Sequence, residues 1–295
     1  MTFQHPPDFL AIGHITVDLL EDGTPMLGGA ALYSGLAASR FGLRAAILTR
    51  GNFSKHGEAI ERSLADFAGE VDIIVQDAGM PTVFENRTIA ARRQQTIHSW
   101  AGPIDLSGLP PAWRSSGIIQ LAPVAQEIEP RQAGQLSPAY LCATPQGWMR
   151  HWQGQRQRGV VQLRSPRSAM SLASRIDGLA LNAEEHVLAR DLSDSVARRG
   201  IVAITRGSNG VRVIDRGQPF DLPAFPIHGV NELGAGDVFA SVLFLLRARR
   251  EPTLRSARIA SAAAALKVSG GGPESIPTRE QVEEFLESAA TIGRH

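Results

Sequence analysis

Asn231-Glu232-Leu233-Gly234-Ala235-Gly236-Asp237 runs without a break into Val238-Phe239-Ala240-Ser241-Val242-Leu243-Phe244-Leu245-Leu246. The second half predicts a buried helix, because it is long, apolar and free of Gly and Pro. The first half predicts the turn that opens it. Glycines there let the backbone approach a ligand closely, and the first N–H groups of a helix have no partner within it. Such a terminus favours an anion, and a phosphate is the natural occupant. Asp237 falls in the first turn, where a general base for phosphoryl transfer to an alcohol would stand. A plain loop with an acidic helix cap accounts for the same residues without any chemistry, so the surrounding chain has to decide.

Working outward, the chain alternates strands with helices. Residues 9–13 predict a strand buried on both faces, since they do not alternate, and it is read as running to Asp18. A carboxylate at a strand's C-terminal end faces a ligand in open α/β sheets, although a turn or helix cap is the plainer role. Gly28-Gly29 precedes a predicted helix over 30–41, closed by Gly42. Further strands are expected over 43–49, 71–75, 118–123, 140–144, 178–181, 201–204 and 211–214. Helices are expected over 57–67, 254–268 and 279–289, the second ending at Ser269-Gly270-Gly271-Gly272-Pro273. This order predicts an α/β protein, a doubly wound α/β/α layer structure around a mostly parallel sheet, as a single domain over 1–295.

Residues 82–101 break the pattern. They read as two polar, partly exposed strands joined by a short turn, a small β-lid inserted into the domain. Arg87, Arg92 and Arg93 lie there and could reach substrate or phosphate, but solvated strand faces explain such charges more often than not. Residues 150–167, with five arginines and Trp152, read as a mobile or solvated connection.

The chain has 295 residues, 43% of them apolar and 20% charged, with a formal net charge of +1. That balance argues against nucleic acid as a partner. Lys55 and Lys267 are the only lysines, so the chemistry leans on Arg, Asp, Glu and backbone groups. A single cysteine, Cys142, rules out an intrachain disulfide and reads as a buried strand residue. No signal peptide and no apolar run of membrane-spanning length is visible, so a cytoplasmic protein without membrane contact is expected. A Walker loop, a His-Glu-x-x-His helix, a Gly-x-Ser-x-Gly elbow and a Gly-x-Gly-x-x-Gly after the first strand are all absent.

Gly28-Gly29-Ala30 near the N-terminus and Gly234-Ala235-Gly236-Asp237 near the C-terminus, in that order, resemble the ribokinase-like (PfkB) carbohydrate kinase family over residues 12–273. The resemblance implies an ATP-dependent phosphotransferase that phosphorylates a hydroxyl of a small sugar, polyol or nucleoside. It implies Asp237 as the base, with Gly234, Ala235 and Gly236 forming the cradle for the transferred group. It places Asp18, Gly28 and Gly29 on the acceptor's hydroxyls, with Tyr33 near the position where the family usually has Asn. On the ATP side it implies Asn182, Thr205, Gly207 and Gly210 along the phosphates and Gly271 beside the adenine. Glu185 would reach Mg2+ through water. Asn182 and Glu185 also read as a capping box, and 201–214 as a plain hairpin. The lid allows a homodimer through it. Family members that use a monovalent cation generally carry Asp-Thr before this turn. Asn231 and Glu232 stand there instead, so little activation by potassium is expected. The second reading is a non-catalytic sugar- or nucleoside-binding protein of the same fold, against which the intact Gly-Ala-Gly-Asp argues.

Overall fold

β1 (Phe9–Ile12) is buried at every position, and its alternate side chains enter different layers. Phe9 and Ala11 join one apolar core, Leu10 and Ile12 another. A strand covered on both faces carries a continuous apolar run, which is why the sequence there does not alternate. The computed structural model describes residues 5–89, 92–153, 158–226 and 232–292, without the side chains of 88, 89, 92, 93 and 290–292. It places β1 inside a nine-stranded sheet. β4 (Ala45–Arg50) and β8 (Ile118–Leu121) flank β1 in parallel, and β5 (Asp72–Gln76) lies beyond β4. Beyond β8 come β9 (Tyr140–Ala143), β12 (Gly178–Asn182) and β13 (Ile201–Thr205), all parallel. β14 (Val211–Asp215) and β15 (Gln218–Leu222) complete that edge antiparallel.

Helices cover both faces. On the side of Phe9 and Ala11 pack α1 (Ala30–Arg40), α2 (Glu58–Phe67), α7 (Ala235–Ala248), α8 (Thr253–Val268) and α9 (Arg279–Ile292). On the side of Leu10 and Ile12 pack α3 (Pro130–Ala133), α4 (Gln146–Met149), α5 (Ala183–Leu188) and α6 (Arg190–Ala197). α7 is buried at every position from Val238 to Leu246, as a helix wedged between a sheet and two neighbours must be. Its register is fixed by a polar bridge through the core. The Ser241 hydroxyl lies 3.0 Å from Gln120 Oε1, and Gln120 Nε2 donates to Ser34 Oγ of α1 at 2.9 Å. This is the doubly wound, mostly parallel α/β architecture that the alternation predicts. No helix among the described residues is long and apolar enough to cross a membrane.

The lid differs from the expectation in extent. Six strands form it, in the order β10 (Arg150–Trp152), β11 (Gly159–Leu163), β7 (Arg92–Ser99), β6 (Thr82–Ile89), β2 (Thr16–Leu19) and β3 (Pro25–Gly28). The first strand therefore does not run to Asp18. The chain leaves the main sheet after Ile12, and Asp18 stands on β2, paired with β6 in parallel. Residues 150–163 are likewise not a connection. They contain two lid strands, and β11 alternates half-buried and exposed positions, as a strand with one solvated face does. The hairpin itself is divided. Val83, Phe84 and Ile97 at its base are buried. Beyond Glu85, β6 has lost its β2 partner and pairs with β7 alone.

A buried polar knot joins lid to main sheet. Fully buried Glu127 accepts the backbone N–H of His14 at 2.9 Å, of Val124 at 2.8 Å and of Ala125 at 2.6 Å. Thr82 Oγ1 accepts the N–H of Ala101 at 3.0 Å and lies 2.8 Å from His14 Nδ1. Which of the two donates follows from the tautomer of the imidazole, since the hydroxyl both donates and accepts. Burial keeps the pKa of His14 below its ordinary value, against the pull of Glu127.

Candidate active site

The C-terminal ends of β12 and β13 open into a cavity of about 1120 Å³, roofed by the lid and floored by the start of α7. Crevices beyond the strand ends are where open α/β sheets bind ligands. Gly234, the N-cap of α7, has φ 78°, a conformation that side-chain-bearing residues rarely adopt. A Cβ there would lie 2.3 Å from the Tyr33 ring, so the turn needs glycine for two independent reasons. Ala235 N–H turns back onto the Glu232 carbonyl at 3.1 Å, and Val238 N–H closes on Gly234 at 2.9 Å. Asp237 follows in the first turn, half-buried and facing the cavity. Burial pushes its carboxyl up to about 7. Glu185 and Asp18 add to the rise, and Arg150 opposes it.

At the lid end, Asp18 is buried and accepts a hydrogen bond from Thr16 Oγ1 at 3.2 Å. Gly28 does not line the cavity. It makes room for Asp18, since a Cβ on Gly28 would fall 2.1 Å from Asp18 Oδ2. Gly29 and Tyr33 do line it. The Tyr33 phenol is buried, and its hydroxyl has no hydrogen-bond partner among the described residues. Burial first, then the neighbouring Asp18 and Asp237, hold this phenol well above its usual pKa, so it remains a donor. Behind the ring, 5.7 Å from its centroid, lies the ammonium of Lys267. Burial lowers that lysine to about 8, while Glu274 pulls it upward.

At the opposite end Asn182 and Glu185 form a full capping box. Asn182 Oδ1 accepts Glu185 N–H at 2.8 Å, and Glu185 Oε2 accepts Asn182 N–H at 2.9 Å. Gln146 Nε2 donates to the other Glu185 oxygen at 3.0 Å. The capping and cavity-lining readings of this pair are therefore both true. Thr205, Gly207 and Gly210 line the same end. Gly271 does not: it is exposed, and Ser261, Ala264, Ala265 and Val268 of α8 supply that wall.

Among the lid arginines, Arg87 pairs with Glu85 at 2.6 Å and is largely exposed. The side chains of Arg92 and Arg93 lie outside the described residues, as does Asn231, on which the potassium expectation rests. Arg150, Phe84 and Gln146 line the cavity and are absent from the sequence-based set. One available clue is position, since Gln146 and Arg150 follow directly on the C-terminal end of β9.

Residues 169–279 match the pfkB family carbohydrate kinase. Ribokinase of Bacillus subtilis (strain 168) is 37% identical over 84 residues, 28% of this chain and 29% of that protein. The matched stretch thus spans under a third of that relative's length. Among solved structures, a pyrophosphate-dependent kinase in the ribokinase family, complexed with a pyrophosphate analog and myo-inositol, superposes with a TM-score of 0.77. It is 19% identical, with 93% of this chain and 99% of that one covered. Ribokinase from Thermotoga maritima gives a TM-score of 0.70 at 16% identity, covering 95% and 99%. The fold is the ribokinase-like one, and residues 169–279 are similar in sequence to the pfkB family carbohydrate kinases.

Proposed function

We propose that this protein transfers the terminal phosphoryl group of ATP to a hydroxyl of a small sugar, polyol or nucleoside. The observation that carries the reading is one cavity with Asp18 on its lid side, Asp237 at the helix start and the Asn182 and Thr205 turns beyond. Asp18 and the Tyr33 hydroxyl bind and orient the acceptor. Asp237, near 7 in the free protein, is poised to take the hydroxyl proton at neutral pH. The first-turn N–H groups at Gly236 and Asp237 hold the phosphoryl oxygens as charge develops. Ala235's own N–H is turned onto Glu232 and contributes least. The acceptor oxygen gains phosphorus as its proton passes to Asp237, and ADP leaves with the electron pair of the broken bond.

The cavity's shape supports ATP as the donor. Leu188, Phe225, Ala264, Ala265 and Val268 form an apolar end that suits a base. Pyrophosphate, used by one structural neighbour, has nothing to place there. Among the described residues no three His, Cys, Asp or Glu side chains gather around a metal position. Mg2+ carried in on the phosphates keeps most of its waters. Glu185 and Asn182 would hold it through those waters, and the ion would offset phosphate charge.

Incubating the protein with ATP or pyrophosphate and a panel of acceptors, followed by mass spectrometry, tests the reading. A product one phosphoryl group heavier is expected with ATP. Binding of acceptor without turnover in any mixture would favour the non-catalytic alternative. Activity is expected to be equal in potassium, sodium and a bulky organic cation at matched ionic strength. A rise unique to potassium overturns that expectation.

The hairpin tip, residues 86–89 and 92–95, is two strands with no third partner, so it opens at low cost. Its amide exchange is expected to slow when acceptor joins the nucleotide complex, while the buried base around Val83 and Ile97 stays unchanged. Equal exchange at the tip in both states would make the lid a fixed wall.

A further inference from the structure

Arg150 is the only basic side chain among the described residues that line the cavity, in company with Asp18, Glu184, Glu185, Glu232 and Asp237. An acidic cavity repels a polyphosphate donor unless a cation stands where the charge is transferred. Several contacts fix where this one stands. Arg150 Nη1 donates to the Val124 carbonyl at 3.0 Å, and the guanidinium lies 5.0 Å from the centroid of the Phe84 ring. Gln126 Nε2 donates to the Arg150 carbonyl at 2.6 Å. Val124 is itself held by the buried carboxylate of Glu127. The planar fork is thus oriented by a rigid loop on one side and by a lid strand on the other. It also lies close enough to Asp237 to oppose the rise in that residue's pKa.

We propose that Arg150 is a catalytic residue that clamps the transferred phosphoryl group from the lid side, opposite the N-terminus of α7. The proposal rests on the kinase reading above. In the transfer, the bond from the terminal phosphorus to the bridging oxygen of ATP breaks and the bond to the acceptor oxygen forms. The acceptor proton goes to Asp237, and ADP takes the electron pair. Arg150 neither gains nor loses a proton. It makes charge-assisted hydrogen bonds to the phosphoryl oxygens as negative charge spreads over them. Because the guanidinium stacks on Phe84 of β6, the lid base and the clamp are assembled together.

The test compares wild type with Arg150→Met and Arg150→Lys, each checked for a native circular dichroism spectrum. Calorimetry measures affinity for ADP and for a non-hydrolysable imido analogue of ATP, both with Mg2+. Wild type is expected to bind the analogue more tightly than ADP. Arg150→Met is expected to lose that excess with ADP affinity unchanged, and its kcat to fall about 10²–10³-fold, the usual effect of deleting one transition-state donor. Arg150→Lys is expected to recover part of kcat. An excess that survives in Arg150→Met overturns the proposal, as does an equal loss of ADP affinity. A defect confined to the KM of an acceptor carrying its own anionic group also overturns it and assigns Arg150 to the acceptor. If the excess behaves as expected but wild type phosphorylates no acceptor, the clamp stands and the kinase reading fails. Full turnover by Arg150→Met leaves the kinase reading and removes the clamp.

Discussion

Asp237→Asn is expected to lower turnover by about 10²–10⁴-fold, the usual worth of a positioned base. Under the kinase reading, ATP affinity should stay near wild type, because the helix start that would hold the phosphates is unchanged. Two pH effects accompany the loss. Only the carboxylate can accept the proton, so wild-type kcat/KM should rise about tenfold per pH unit to about 7, where burial has placed this group, and then level. The variant should lack that limb. Stability should move in the opposite sense. The folded-state value lies above the ordinary 3.8, so wild-type stability is fully present below about pH 4 and is lost as pH rises through 7. Asparagine carries no such charge. The variant should therefore melt higher than wild type at pH 8, with the gap closing as pH falls. A folded variant with near-wild-type turnover would remove Asp237 from the base position, and identical melting at both pH values would remove its desolvation.

Asp18→Ala is expected to weaken acceptor binding by about 10–100-fold, from ~1.5–3 kcal/mol for a hydrogen bond to a charged group. ATP affinity should change little, since Asp18 stands on β2 and the end proposed for the nucleotide is built from β12, β13 and α8. The same substitution removes one of the charges that raise Asp237. The acid limb of kcat/KM should accordingly shift to lower pH. Calorimetry with each ligand and a pH–rate profile check both parts. Loss of ATP affinity with acceptor affinity intact would move Asp18 to the donor side.

The parts of the site legible in sequence are those set by backbone chemistry. Gly234 and Asp237 announce themselves because a left-handed turn and a free helix start each demand particular residue types. Asn182 and Glu185 are equally readable as a cap, and the structure shows the cap facing the cavity. The alternation of buried strands with helices carries the doubly wound sheet for the same local reason. What sequence hides is set by long-range pairing. Nothing in residues 9–18 marks the step from one sheet to another at Gly13-His14. The lid was legible only at β6 and β7, because β2 with β3 and β10 with β11 join them from distant parts of the chain. Arg150 was hidden for the same reason, since its charge lies among exposed arginines and only the fold turns it inward. Gly271 shows the converse: a glycine-rich loop after α8 invites a ligand, yet the helix's own small side chains form the wall.

Asp18 and Asp237 stand on different bodies, one on a lid strand and the other on a helix packed on the main sheet. The pairing of β2 with the buried lid base holds the two together before any ligand arrives, and only the hairpin tip is left without a third strand. Under the kinase reading, the choice among alcohols then rests on fit between groups already set in place, a lock whose wards are cut in advance.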